Sequence, residues 1–253
     1  MGVSPGLFGS LFQQPAWAHW VFELLAYAIG FRIYLALRRR QPDYALADRD
    51  SNLVVIVCAA LGAALGSKLA YWLYDPAIAF ADFPDWRALL GGKSIVGALL
   101  GGLAGVETGK RAVGITRSTG DLMWPALLVA MLIGRIGCLL TALPDGTAGS
   151  PTFLPWGVDF GDGILRHPSP LYEIIFLAGL GMVLWRKRGD FVREGDAFRV
   201  FLASYLVFRL AFDFLKPMPT PYLGLFSGLQ LLCLAGLLYY ARDMPRLGRA
   251  VLT

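Results

Sequence analysis

Among the ionisable residues inside stretches that are otherwise apolar, six stand out: Glu23, Lys68, Arg135, Glu173, Arg209 and Asp213. A charge at membrane depth costs about 3 kcal/mol or more unless it is paired or hydrated, so such residues are candidates for function. Two of them are arginines, whose planar fork of N–H donors suits bidentate binding of a phosphate. Arg209 and Asp213 are four apart, on one face of a helix, where the carboxylate can hold the guanidinium in place. Three cations face three anions, so the set also fits a neutral ion-pair network that ties helices together. Both readings stand on the sequence.

The elements that position these residues are apolar runs. Of 253 residues, 56% are hydrophobic and only 16% charged, and the mean hydropathy is +0.56. A soluble domain of this size needs a charged shell that this composition does not supply. Runs of roughly 18–24 residues match a helical crossing of the bilayer, whereas a barrel would show alternating strands of about ten. The expected fold class is an all-α integral membrane protein, a bundle of about seven transmembrane helices. The spans fall near 16–37, 52–74, 94–109, 120–142, 169–185, 197–215 and 223–241. They form one domain, 1–253, with loops 75–93 and 143–168 on the periplasmic side.

Orientation follows from the loops. Fourteen Lys/Arg, among them Arg38–Arg40, Lys110, Arg111, Arg186–Arg188 and Arg242, sit after spans one, three, five and seven. Four (Arg87, Lys93, Arg166 and Lys216) occupy the opposite loops. The richer side belongs in the cytoplasm, which puts the amino terminus outside and the carboxyl terminus inside. The net charge of +5 is thereby explained by topology, and nucleic acid is not an expected partner. No basic stretch precedes the first apolar run, so no cleavable signal peptide is expected.

At 1.5 Å per residue, all six intramembrane charges lie within roughly the outer 10 Å of the apolar region, although their helices run in opposite directions. A phosphate group entering from the outer leaflet would meet them there, which suits an anionic phospholipid. Gly62 and Gly66 in the second span, and Gly97, Gly101 and Gly105 in the third, repeat every four residues, a spacing that lets helices pack closely in lipid. Cys58, Cys138 and Cys233 lie within apolar runs without metal or redox spacing, and no metal or cofactor is expected. In the outer loops, LPWGVDFGDG has the alternation and Gly/Asp turn of a small hairpin. Such a loop either carries function or rests at the headgroups on its aromatic residues.

Particular blocks then become recognisable. GDLMWPALLVAMLIGRIGCLL, LPWGVDF, RHPSPLYE, SIVGALLGG and FRLAFDFLKP with the following LGLFSGLQ resemble the prolipoprotein diacylglyceryl transferases of the bacterial inner membrane. The matching blocks run in family order over nearly the whole chain. The resemblance implies an enzyme of lipoprotein biosynthesis that moves the diacylglyceryl group of phosphatidylglycerol onto the lipobox cysteine of a prolipoprotein, releasing glycerol phosphate. It assigns Arg135 and Arg209 to the phosphate; Lys68, Cys138, Gly146 and Glu173 are grouped with them as substrate-binding candidates. Asp213 takes the place of the family's glutamate.

The polar groups nearest the implied chemistry differ. Val96 stands where the family has a functional histidine, Cys138 where it has an asparagine, and Leu143 where it has a glutamate. Glu23 replaces a tyrosine in the first span. Glu23 is a candidate replacement base, as is His167 in the R-H-P turn, with Asp213 as the third catalytic candidate. Cys138 is also a candidate nucleophile. The alternatives are a diverged homologue acting on another acceptor or headgroup, and a non-catalytic protein that binds anionic phospholipid. A transporter fits less well, because the charges lie on one side only and no inverted repeat is visible.

Overall fold

The computed structural model describes residues 14–15, 17–40, 49–81, 91–144 and 146–252. The amino-terminal stretch read for a signal peptide, and residues 82–90 with Arg87, lie outside these described residues. In chain order the helices are α1 (Trp17–Arg40), α2 (Arg49–Tyr74), the single turn α3 (Pro76–Ala79), α4 (Ile95–Ala112), α5 (Met123–Leu140), α6 (Ser169–Arg186), α7 (Asp196–Phe212), α8 (Gly228–Tyr240) and α9 (Met244–Leu252). Two short strands, β1 (Val158–Asp159) and β2 (Leu165–Arg166), fall between α5 and α6.

Each of the seven apolar runs carries a helix. Trp17–Arg40, Asp50–Tyr74 and Gly120–Leu140 are each long and apolar enough to cross a membrane, and Gly228–Tyr240 is a shorter apolar helix. Leu61, Leu65 and Leu69 form an exposed stripe along α2, and Trp17, Trp20, Leu24 and Phe31 are exposed on α1. Apolar side chains left outward at helical spacing belong in lipid. The chain is a membrane protein with several apolar helices.

The chain forms two compact units. The first takes residues 1–40, 121–191 and 214–217. In it α5 packs on α1 and on α6. Gly30 brings α1 so near α5 that an added Cβ would meet Ala130 Cβ at 3.0 Å, and one at Gly137 would meet Phe22 Cβ at 2.7 Å. On α6 the buried residues Glu173, Leu177, Leu180 and Leu184 recur at helical spacing. The expected hairpin is present: β1 and β2 pair antiparallel, Val158 with Arg166 and Asp159 with Leu165. Asp159 Oδ1 accepts the backbone N–H of Gly161 (2.8 Å) and of Gly163 (3.0 Å), which holds the turn.

The second unit takes residues 41–120, 192–213 and 218–253. Its spine is the α2–α4 pair. Gly62 and Gly66 lie against Gly97 and Gly101, and a methyl on any of these four would run into the facing backbone. The glycine spacing is therefore a packing device. Ser94 caps α4 by accepting the Gly97 N–H at 3.3 Å. α7 and α8 pack on each other, and Gly236 of α8 lies against Leu206 and Leu100. At the far end of α7, Asp196 is paired with Arg199 (2.8 Å) and with Arg246 of α9.

Several boundaries differ from expectation by about three residues, as where α1 runs to Arg40 and α2 starts at Arg49, and one differs by more. α4 runs to Ala112 rather than ending at 109. α8 starts at Gly228 rather than near 223, because Tyr222 and Phe226 bridge across a tight turn. Leu223 and Gly224 are left-handed there, at φ 53° and 71°, which a helix does not admit.

Candidate functional site

In the first unit, α5 carries Arg135 and Cys138 one turn apart near its carboxyl end, and α6 carries Glu173 in its second turn. These helices run in opposite directions along one another, so the two ends share a level. Arg135 Nε lies 2.7 Å from Glu173 Oε1. The glutamate is 1% exposed and the arginine 15%. Arg135 Nη1 also donates to Cys138 Sγ at 3.5 Å. On the other side of the sulfur stands His19 of α1, its Nδ1 3.9 Å from Sγ. Gly137 makes this possible: its missing side chain admits Phe22 and the His19 backbone against α5.

His19 is the residue that the sequence reading missed. It is one of two histidines in the chain, and it lies in an apolar span one helical turn from Glu23. That placement was the available signal.

Glu23 Oε1 accepts a hydrogen bond from Tyr27 O–H at 2.8 Å, a partner on the same helix. His167 is fixed by its backbone: its N–H reaches Ser150 O (3.1 Å), and its carbonyl accepts from Gly149 (3.0 Å) and Ser169 (2.8 Å). Its ring Nδ1 is 3.3 Å from the Tyr172 hydroxyl, which also accepts from Trp156 Nε1 at 2.7 Å. The Tyr172 hydroxyl thus joins the indole of Trp156 to the imidazole of His167, donating to Nδ1 or accepting from it according to the tautomer. Gly146 lies exposed after α5 at φ 62°, its N–H bonded to Leu143 O at 3.0 Å. Leu143 itself packs on the apolar cluster of Ala142, Ala148 and Phe160.

In the second unit, Arg209 Nη2 donates to Asp213 Oδ1 at 3.1 Å, with both residues almost fully buried. The i,i+4 pairing expected from sequence is formed. Asp213 also accepts from the Ser227 hydroxyl. Ser227 is the N-cap of α8 in a capping box with Gln230, whose Nε2 reaches Leu210 O at 3.0 Å. The S-x-x-Q pattern that signals this box is present in the sequence. Lys68 Nζ donates to the carbonyls of Gly91 (3.0 Å) and Gly92 (2.7 Å), so it ties the chain before α4 to α2. Val96, on α4, is wholly buried.

A buried guanidinium anchored by a carboxylate and set beside a thiol is equipped to hold an anionic oxygen near a nucleophile. The family model for prolipoprotein diacylglyceryl transferase matches residues 19–241. The chain belongs to that family. The prolipoprotein diacylglyceryl transferase match spans every element described above except α9 and the residues before His19. Among similar proteins is the phosphatidylglycerol–prolipoprotein diacylglyceryl transferase of Geobacter sulfurreducens, 32% identical over 215 residues, covering 81% of this chain and 80% of that one. The enzyme of the same name from Solidesulfovibrio magneticus is 33% identical over 217 residues, 79% and 78% of the two chains. That from Bordetella parapertussis is 31% identical over 229 residues, 84% and 83%.

Proposed function

We propose that the protein transfers the diacylglyceryl group of phosphatidylglycerol, in the bacterial inner membrane, to the lipobox cysteine of a prolipoprotein and releases glycerol phosphate. The excess of basic residues in alternate loops supports seven spans with the amino terminus outside, an arrangement in which the arginine-bearing helix ends would lie in the outer leaflet and loops 75–93 and 143–168 in the periplasm. Arg135 and Arg209 are the groups proposed to neutralise the phosphate as it departs, with Lys68, Gly146 and Glu173 supporting the substrate. A thiolate attacks the glyceryl carbon bonded to the phosphate; a base takes the thiol proton. Glu23, His167 and Asp213 are the candidates from sequence for proton transfer.

The observation that carries this reading is the Arg135–Glu173 pair. The carboxylate engages the guanidinium through Nε at 2.7 Å, and the same guanidinium reaches Cys138 Sγ through Nη1 at 3.5 Å. The test is to incubate the purified chain with phosphatidylglycerol and a lipobox peptide and to follow both glycerol phosphate and lipidated peptide. Lipidated peptide that disappears in Arg135→Ala supports the reading. Release of glycerol phosphate without lipidated peptide points to a different acceptor.

Buried Val96, where the family has a histidine, favours a second reading: a homologue that binds anionic phospholipid without cleaving it. Phospholipid that copurifies with the chain and survives incubation intact, with no glycerol phosphate formed, would establish that alternative.

A further inference from the structure

The sulfur of Cys138 has two unusual neighbours for a thiol in a membrane helix. A permanently charged guanidinium donates to it at 3.5 Å, and an imidazole nitrogen stands 3.9 Å away. The thiol is 7% exposed, and no disulfide engages it. Cationic donor, proton acceptor and sulfur together are the composition of an activated nucleophile: the acceptor removes the proton and the cation favours the thiolate. Cys58 and Cys233, the other two free cysteines, show no such pair of partners among the described contacts.

We propose that Cys138 is itself an acceptor of the diacylglyceryl group, so that the protein alkylates its own thiol, with His19 as the proton acceptor. This rests on the lipid reaction proposed above. His19 Nδ1 takes the thiol proton, with its other proton on Nε2. Sγ attacks the glyceryl carbon attached to the phosphate. The new bond is Sγ–C; the broken bond is C–O, and its electron pair leaves on the phosphate oxygen of glycerol phosphate. The products are a thioether on Cys138, a protonated His19 and a phosphate monoester anion, and no oxidant or reductant is consumed.

Geometry ties the step to the leaving group. The guanidinium that touches the sulfur is the one proposed to hold the phosphate, so a single side chain brings nucleophile and leaving group together. Glu173 keeps that guanidinium from rotating toward the sulfur alone. Arg135 is the more exposed of the pair, which marks the side from which a lipid headgroup reaches it. A thioether is a poor leaving group. The modified chain is therefore an end product, with one lipid anchored in the bundle per protein.

The experiment uses the full chain in detergent micelles mixed with phosphatidylglycerol vesicles, without and with lipobox peptide. It reads intact mass, the peptide containing Cys138, and glycerol phosphate. The expected result is one diacylglyceryl adduct on Cys138 and a stoichiometric release of glycerol phosphate without peptide. Cys138→Ser should carry no adduct. His19→Gln should slow adduct formation by about a hundredfold, with circular dichroism and elution volume unchanged. Lipidated lipobox peptide together with an unmodified Cys138 would overturn the proposal and leave the transferase reading standing. An unmodified Cys138 with neither lipidated peptide nor glycerol phosphate would overturn both. An adduct that forms equally fast in His19→Gln would remove the histidine from the step.

Discussion

Arg135 of α5 and Glu173 of α6 form an ion pair at 2.7 Å, and the glutamate has almost no contact with solvent. Removing either partner leaves the other charge without its counter-ion in a largely buried place, which costs about 3–5 kcal/mol. Glu173→Ala should lower thermal stability by that order, as followed by unfolding in detergent. Arg135→Lys retains the charge but loses the planar fork. It should fold and yet transfer lipid on the order of 100-fold more slowly, because one preorganised donor to a developing oxyanion is worth about that factor.

Asp213 links the end of α7 to the start of α8, through Arg209 on one side and Ser227 on the other. Ser227→Ala removes an N-cap and should cost roughly 1 kcal/mol of stability. Asp213→Asn should cost more, about 3 kcal/mol, because it leaves the Arg209 guanidinium buried beside a neutral group. If the two substitutions destabilise equally in thermal unfolding, the aspartate is acting only as a cap partner.

The α2–α4 contact is made of backbone. Gly101→Ala places a methyl against the Gly62 carbonyl and the Gly66 Cα. Overpacking of this kind costs about 1–3 kcal/mol where neighbours can shift, and two facing helix backbones have little room to do so. Gly102, where an added Cβ would meet Ala63 Cβ at an ordinary 3.5 Å, is the control for packing. Unfolding temperatures of Gly101→Ala and Gly102→Ala compare the two environments, and the first should be lower.

The hairpin carries a pH prediction. Arg166, donating to Asp162 at 2.7 and 2.9 Å, holds the carboxyl of Asp162 below its ordinary value. A carboxyl depressed in the folded state adds stability above its unfolded value, near ~3.9, and that stability is lost as pH falls through the lower folded value. Protection of the hairpin against protease should therefore be flat from neutral pH down to about 4 and weaken below it. Arg166→Met should remove the transition and leave protection low throughout.

Much of this architecture was legible in the chain. The seven helices lie on the apolar runs, since a backbone in lipid has to bond to itself. The GxxxG-like spacing announced the α2–α4 contact, and DFGDG announced the hairpin. The depth argument placed Arg135 and Glu173 at one level, where they meet. Two things were not legible. The start of α8 is set by left-handed Leu223 and Gly224, and left-handed geometry at a leucine has no sequence signal. His19 reaches Cys138 only because Gly137 lets α1 close on α5, and that approach depends on three residues from two helices rather than on any one motif. Lys68 belongs with neither group: counted among the charges, it is spent on the Gly91 and Gly92 carbonyls.

Val96 of α4 is wholly buried, at the position where the family resemblance implies a histidine. An imidazole is larger than an isopropyl group and brings two nitrogens that need partners. Placing one there would cost roughly 1–3 kcal/mol in crowding, with a further penalty for unmet polar atoms. Surroundings that close over the valine thus resist a side chain that titrates. Installing an imidazole at this point of α4 has to begin with the neighbours.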